Sequence, residues 1–288
     1  MKIVSDLLDL LELEPLEVNI YRGNNRDLGT GRVFGGQVFA QALVAARRTV
    51  DEPREAHSMH GYFLREGDLK APIVYFVDRP RDGGSFTSRR VTAIQHGEAI
   101  FHMSASFHVV QEGFDHQAPM PDVPPPESLK NELEIIRARE AELPAHLRTV
   151  LTQDRPIDFR SVRPIDPLHH DKTEPVRQVW FRVVDRLPDS PLAHQAILAY
   201  ASDYGMLPTA LYPHNVSYRS EGLFIASLDH SVWIHRPFRA DEWLLYSIDS
   251  PSASAARGFV RGQVFTREGK LVASVAQEGL IRMRPPKK

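Results

Sequence analysis

The chain has 288 residues and a formal charge of −2, with 35 Lys and Arg against 37 Asp and Glu. It lacks the strongly basic footprint of a nucleic-acid-binding protein. A 42% apolar content is enough for packed cores, and the absence of cysteine excludes disulfides, thiol nucleophiles and Cys-ligated metal centres.

In chain order, MKIVSDLLDLLELEPLE is acidic where a signal peptide is basic. It predicts a short amphipathic helix with Ser5 as its N-cap. No run reaches the ~18 apolar residues of a membrane span, so the expectation is a soluble cytoplasmic protein. The glycine-rich GRVFGG at 31–36 leads into a second helix from about Gly36 to Arg48. This helix is small and apolar around most of its circumference, which predicts deep burial.

Strands are expected over Ser58 to Arg65, Ile73 to Arg81, Ser85 to Gln95 and Ala99 to Val110, with turn residues between them. One buried helix followed by an antiparallel meander is an α+β unit. The stretch PMPDVPPPE then breaks the pattern, and a charged helix is expected from Ser128 to Leu143. A second unit follows, with a strand at Arg177 to Val183 and a helix from about Leu192 to Asp203 capped by Gly205. Its strands are expected at Leu223 to His235, Glu242 to Ser250, Ala256 to Thr266 and Leu271 to Arg282.

The two units repeat one another. Tyr62 to Asp78 and Trp233 to Asp249 share a pattern at an offset of 171 positions, and Arg90 falls on Arg261 at the same offset. So long a period is no solenoid repeat, since those run to roughly 20–50 residues. We read residues 1–115 and 176–288 as two copies of one domain, joined by a linker at 116–175.

Candidate chemistry is what one copy has and the other lacks. Asp203 ends the second helix, where the macrodipole disfavours an acid by about 0.3–1 kcal/mol. The first helix, Phe34 to Arg48, holds no acid at all. Gln277 continues the row Leu271, Ala273, Val275 on one strand face and must find partners if that face is buried. Ser227 interrupts the apolar run Leu223 to Leu228. Each has a plain alternative: a solvated helix-end Asp, a Gln reaching solvent, a structural strand Ser. His57, His60, His230 and His235 match no metal spacing and read as structural or interface residues. Arg89, Arg90, Arg257 and Arg261 are candidates to meet phosphates or are simply paired strand charges. Serine-nucleophile elbows, dinucleotide fingerprints and P-loops are absent from the sequence.

These segments together resemble the type II acyl-CoA thioesterases over almost the whole chain. The resemblance is carried by Arg32 to Val38, His57-Ser58 through Arg65, Ser85 through Val91, and Tyr200 to Asp203. It continues in Asp229-His230-Ser231 through Phe238, Ser254 to Phe259, and Gln277-Glu278-Gly279. It implies a double hot-dog fold, in which a long helix is wrapped by a curved antiparallel sheet, twice over. It implies hydrolysis of medium- to long-chain fatty acyl-CoA by a water-activating trio at Asp203, Ser227 and Gln277, without an acyl-enzyme, metal or cofactor. The middle position, Thr in the familiar pattern, is Ser here. Gly35 and Gly36 are candidates for the oxyanion site, and Arg90 and Arg257 for substrate contacts. Assembly into a homodimer or homotetramer is also implied. Two alternatives stand beside this reading: a non-catalytic acyl-CoA-binding protein, and a hot-dog enoyl-CoA hydratase or dehydratase using His230 or His235 with an acid.

Overall fold

The computed structural model describes residues 2–29, 31–143, 148, 151–164, 172–216, 220 and 222–283. Helix α1 (Lys2–Leu11) is followed by two short strands, β1 (Glu14–Glu17) and β2 (Ile20–Gly23). Then come α2 (Gly35–Arg47) and strands β3 (Glu55–Phe63), β4 (Ile73–Asp82), β5 (Phe86–Gln95) and β6 (Glu98–His108). After a one-turn-and-a-half helix α3 (Glu132–Arg137), the order repeats. It runs β7 (Ile157–Ser161), β8 (Val176–Val183), α4 (Pro191–Ser202), β9 (Leu223–Ser227), β10 (Asp229–Ile234), β11 (Leu244–Ser254), β12 (Arg257–Thr266) and β13 (Leu271–Met283).

All the strands join one antiparallel sheet in the order β1-β2-β4-β5-β6-β3-β10-β13-β12-β11-β8-β7, with β9 paired to the end of β13. The order is palindromic about the β3–β10 join: each half runs outward through equivalent strands. The join itself is centred on the repeat. His60 faces Ser231, its counterpart at the 171-residue offset, while Ser58 faces Trp233 and Tyr62 faces Asp229. A local twofold axis therefore passes between His60 and Ser231. This is the α+β double hot-dog architecture, with α2 and α4 packed on each other inside the curved sheet.

Helix α2 is buried from Gly36 to Ala46, as its composition requires. Its two glutamines avoid the cost of burying unpaired amides. Gln41 donates to the carbonyls of Leu10 (2.6 Å) and Asn24 (3.0 Å) and accepts from the Tyr75 hydroxyl at 2.7 Å. Phe39 and Leu43 are fully buried in the same core, where truncation to Ala typically costs about 2–5 kcal/mol.

Several expectations are corrected. Ser5 lies inside α1 rather than at its N-cap. The first-copy strands are not a simple meander, because β3 pairs with β6 and not with β4. The expected helix from Ser128 to Leu143 is only α3, capped by Asn131 accepting from Leu133 N–H at 2.7 Å and flanked by single 3-10 turns. Strand β7 lies in the stretch read as linker, and it stands to β8 as β1 stands to β2. The proline-rich stretch before it covers a second apolar cluster on the outer sheet face. There Trp180 Nε1 donates to the Pro124 carbonyl at 2.9 Å.

Candidate active site

The one strand expected from Leu223 to His235 is two, and the break shapes the site. Ser227 of β9 faces Gly279, whereas Ser231 of β10 faces Ala276. Three residues, Leu228 to His230, therefore stand against two, Gln277 and Glu278, which is a β-bulge. In an unbroken strand, residues three apart point to opposite faces. The extra residue restores the parity, so Ser227 and His230 both reach Gln277 Nε2, at 3.2 and 3.1 Å.

Gln277 lies on the buried face of β13, only 1% exposed, as the alternation predicts. Its Nε2 also donates to Asp203 Oδ1 at 2.6 Å. The three candidate residues thus meet around one amide group.

Asp203 is the C-cap of α4. Its unfavourable placement at that helix end is offset by the antiparallel neighbour: the Gly36 N–H at the start of α2 donates to Asp203 Oδ2 at 2.8 Å. Only glycine permits so close an approach. A Cβ on Gly36 would lie 2.4 Å from the Tyr200 carbonyl oxygen, and one on Gly35 would lie 2.8 Å from Asp203 Oδ2. The Gly36 amide is therefore committed to the carboxylate and is not an open oxyanion donor. Gly35 lies beside it on the cavity wall.

Asp203 and Ser227 line a cavity of about 1190 Å³. Gln277 is not among its lining residues; it stands behind them. The walls come from both halves and from the segment between them, including Phe34, Phe63, Ile136, Phe159, Leu211 and Ile225. Glu132 of α3 is pinned to this wall by Arg177 at 3.0 Å and by the Ser161 hydroxyl, which donates at 2.5 Å. Burial alone would raise the Glu132 carboxyl, but Arg177 and Ser161 hold it below its ordinary range. Tyr200 is pushed up by burial, against the opposing field of Arg26 and Arg155, which also line the cavity.

The arginines singled out in the sequence lie elsewhere. Arg90 pairs with Asp78 across β4 and β5 at 2.9 Å, and Arg261 pairs with Asp249 across β11 and β12 at 3.0 Å. The repeat between them is one cross-strand ion pair made twice. Arg257 pairs with Glu278 at 2.8 Å, and Arg89 is buried against Asp82 and Thr49. Neither Arg90 nor Arg257 is among the described residues lining the cavity.

Of the histidines, His57 and His235 hydrogen-bond to Ser106 (2.8 Å) and Ser274 (2.9 Å), and His60 packs edge-on to Trp233. His230 is different. It is wholly buried and joins the Gln277 amide to Ser202. Its place could not be read from spacing, because the bulge decides which way it faces.

Proteins similar to this chain over nearly its whole length place this double hot-dog among the thioester hydrolases. Residues 149–280 match the family model described as acyl-CoA thioesterase, and residues 25–108 match that described as acyl-CoA thioesterase N-terminal domain. The chain is 40% identical over 280 residues to acyl-CoA thioesterase 2 of Haemophilus influenzae, covering 97% of this chain and 98% of that protein. The crystal structure of the acyl-CoA thioesterase II TesB2 from Mycobacterium marinum superposes with a TM-score of 0.80 at 44% identity, covering 98% and 99% of the two chains. A hot-dog protein of unknown function from Alicyclobacillus acidocaldarius shares the fold, with a TM-score of 0.77 at 19% identity over 96% and 98% of the chains. The chain belongs to the acyl-CoA thioesterase family.

Proposed function

We propose that the protein hydrolyses medium- to long-chain fatty acyl-CoA to the free acid and CoA by direct attack of water. The observation that carries this reading is that Asp203 and Ser227 both stand on the wall of the apolar cavity and both accept from the buried Gln277 amide. Asp203 takes the proton from the attacking water. Ser227 presents its hydroxyl to the same water and contributes orientation. Gln277 holds the carboxylate from behind rather than touching the water. The tetrahedral oxyanion meets the Gly35 amide at the start of α2, where the helix dipole favours negative charge.

The cavity exceeds the roughly 300–1,000 Å³ typical of drug-sized ligand sites, which suits a long acyl chain. Arg26 and Arg155 are the proposed contacts for the CoA phosphates, in place of Arg90 and Arg257. The division into two hot-dog units, 1–115 and 176–288, around a connecting segment is part of the same proposal, with β7 and the α3 region completing the second unit and the cavity wall. The hydratase or dehydratase alternative needs a histidine beside the substrate, but His230 is fully buried and bonded on both ring nitrogens.

The test is thiol release from a C4 to C18 acyl-CoA series, with Asp203→Asn measured beside the wild type. The expected result is an optimum at medium or long chains and a loss of at least a hundredfold in kcat with substrate binding retained. Undiminished turnover in Asp203→Asn would overturn the base; binding without turnover in the wild type would favour the acyl-CoA-binding protein.

A further inference from the structure

We infer that His230 is a positioning residue whose Nδ1 lone pair fixes the orientation of the Gln277 amide, and through it the Asp203 carboxylate. The inference rests on the role proposed above for Asp203 and Gln277.

Gln277 Nε2 faces the Asp203 carboxylate at 2.6 Å and is therefore a donor. His230 Nδ1 at 3.1 Å accepts from it, so the ring proton lies on Nε2. The Ser202 hydroxyl proton goes to the Ala199 carbonyl at 3.1 Å, and Ser202 Oγ accepts from His230 Nε2 at 2.8 Å. The Nε2–H tautomer leaves Nδ1 with a lone pair. Burial holds the imidazole below its ordinary range against the opposing pull of Asp203, which keeps that lone pair unprotonated. The edge of Phe39, with ring centroids 4.9 Å apart at 88°, sets the plane of the ring.

Nδ1 sits 3.1 Å from Gln277 Nε2. The amide has two N–H protons and three neighbours: Asp203 Oδ1 at 2.6 Å, His230 Nδ1 at 3.1 Å and Ser227 Oγ at 3.2 Å. Asp203 Oδ1 takes one proton, and the other lies toward His230 Nδ1 and Ser227 Oγ, which stand almost equally near. Turning the amide over would set its oxygen against a carboxylate oxygen and an imidazole lone pair at once, so no flipped state competes. Toward this amide Ser227 Oγ is an acceptor, so its own proton is available to the cavity. Without the Nδ1 acceptor, the ring no longer sets the plane of the amide, and the Asp203 carboxylate that the amide holds loses its fixed alignment. The chain Ser202–His230–Gln277 runs behind the cavity wall and ends on it at Asp203; it is assigned by the structure, not by any motif.

The experiment is a double-mutant cycle of His230→Leu with Gln277→Ala, read as kcat and KM separately. In the wild-type background, His230→Leu is expected to lower kcat about 30-fold with KM within about twofold, the pattern of lost alignment rather than lost binding. On Gln277→Ala the same substitution is expected to change kcat by less than about twofold, because the amide it orients is gone. His230→Asn, whose Oδ1 stands near the Nδ1 position, is expected to recover most of the loss. His230→Gln, which reaches toward Ser202 instead, is not. The Asn and Gln variants carry the comparison if the Leu variant fails to fold, judged by near-ultraviolet circular dichroism. Nitrogen-15 shifts of labelled histidine give a second readout independent of turnover: a neutral Nε2–H ring whose Nδ1 resonance moves in Gln277→Ala. Equal losses in both backgrounds, or an Nδ1–H ring, would sink the proposal. Full activity in Gln277→Ala would instead overturn the trio, a failure distinguishable from that of His230.

Discussion

Asp203 occupies a position that one helix disfavours and another rewards. At the end of α4 it opposes the local dipole, yet the first-turn amide of α2 meets it at 2.8 Å. That conflict is what made the residue visible in the sequence, since an acid at a helix C-terminus with no counterpart in the repeated helix demands a partner. Ser227 and Gln277 were legible to differing degrees. The alternation of β13 gave the face of Gln277, whereas nothing in LFIAS says that its serine turns toward that face. Ser227→Ala is expected to lower kcat by about 10- to 100-fold with KM little changed, as for loss of one group that orients the attacking water. Ser227→Thr, which restores the methyl and narrows the rotamer choice, is expected to stay within about threefold of wild type. Steady-state kinetics on one long-chain acyl-CoA checks both. Arg90→Ala removes an exposed cross-strand pair, so it is expected to leave KM for acyl-CoA unchanged and to shift stability by less than about 1 kcal/mol. A large rise in KM would return Arg90 to the substrate site.

At the scale of elements, the site depends on a tight helix crossing and a bulge. Gly36→Ala places a methyl group against the Tyr200 carbonyl, and backbone cannot yield as a side-chain tip can. The expected cost is about 1–3 kcal/mol in denaturant unfolding, together with reduced kcat as the amide withdraws from Asp203. The long helices and strands were legible because each repeats its period several times. Strands β1, β2 and β7 were not, having only four or five residues over which to alternate. The bulge is invisible for a related reason. Leu228 looks like one more apolar residue of a continuous strand, but its carbonyl accepts from Phe63 N–H at 2.9 Å, and there the chain keeps β13 and gains β3 as a second partner. The arginines misled because the repeat that flagged them reflects sheet structure, an Asp facing an Arg in each half, rather than substrate contact.

For the whole molecule, duplication yields two equivalent helix junctions but unlike chemistry at them. Where α4 is capped by Asp203, α2 is capped by Arg48, which is turned to Glu12 and the Leu13 carbonyl. At the opposite junction Gln195 of α4 donates to Glu55 at 3.2 Å. Acid sensitivity also belongs to the whole molecule. Burial holds His57, His60, His194, His230 and His235 below the ordinary imidazole value of 6.5. The unfolded chain therefore takes up protons that the folded one refuses, and stability falls as pH drops below about 6.5. Glu55 and Asp229, both raised by burial, act in the opposite direction at lower pH. A Tm that declines by several degrees between about pH 7 and pH 5 is expected, and a flat Tm would contradict this account.

The β3–β10 join has a kinetic consequence. Were the halves separate chains, every working site would require an encounter, and dilution below their dissociation constant would erase activity. A covalent connection turns that encounter into an intramolecular step, with an effective concentration on the order of millimolar whatever the amount of protein present. Turnover per chain therefore becomes indifferent to scarcity. The halves expressed as two polypeptides would complement each other only when crowded together.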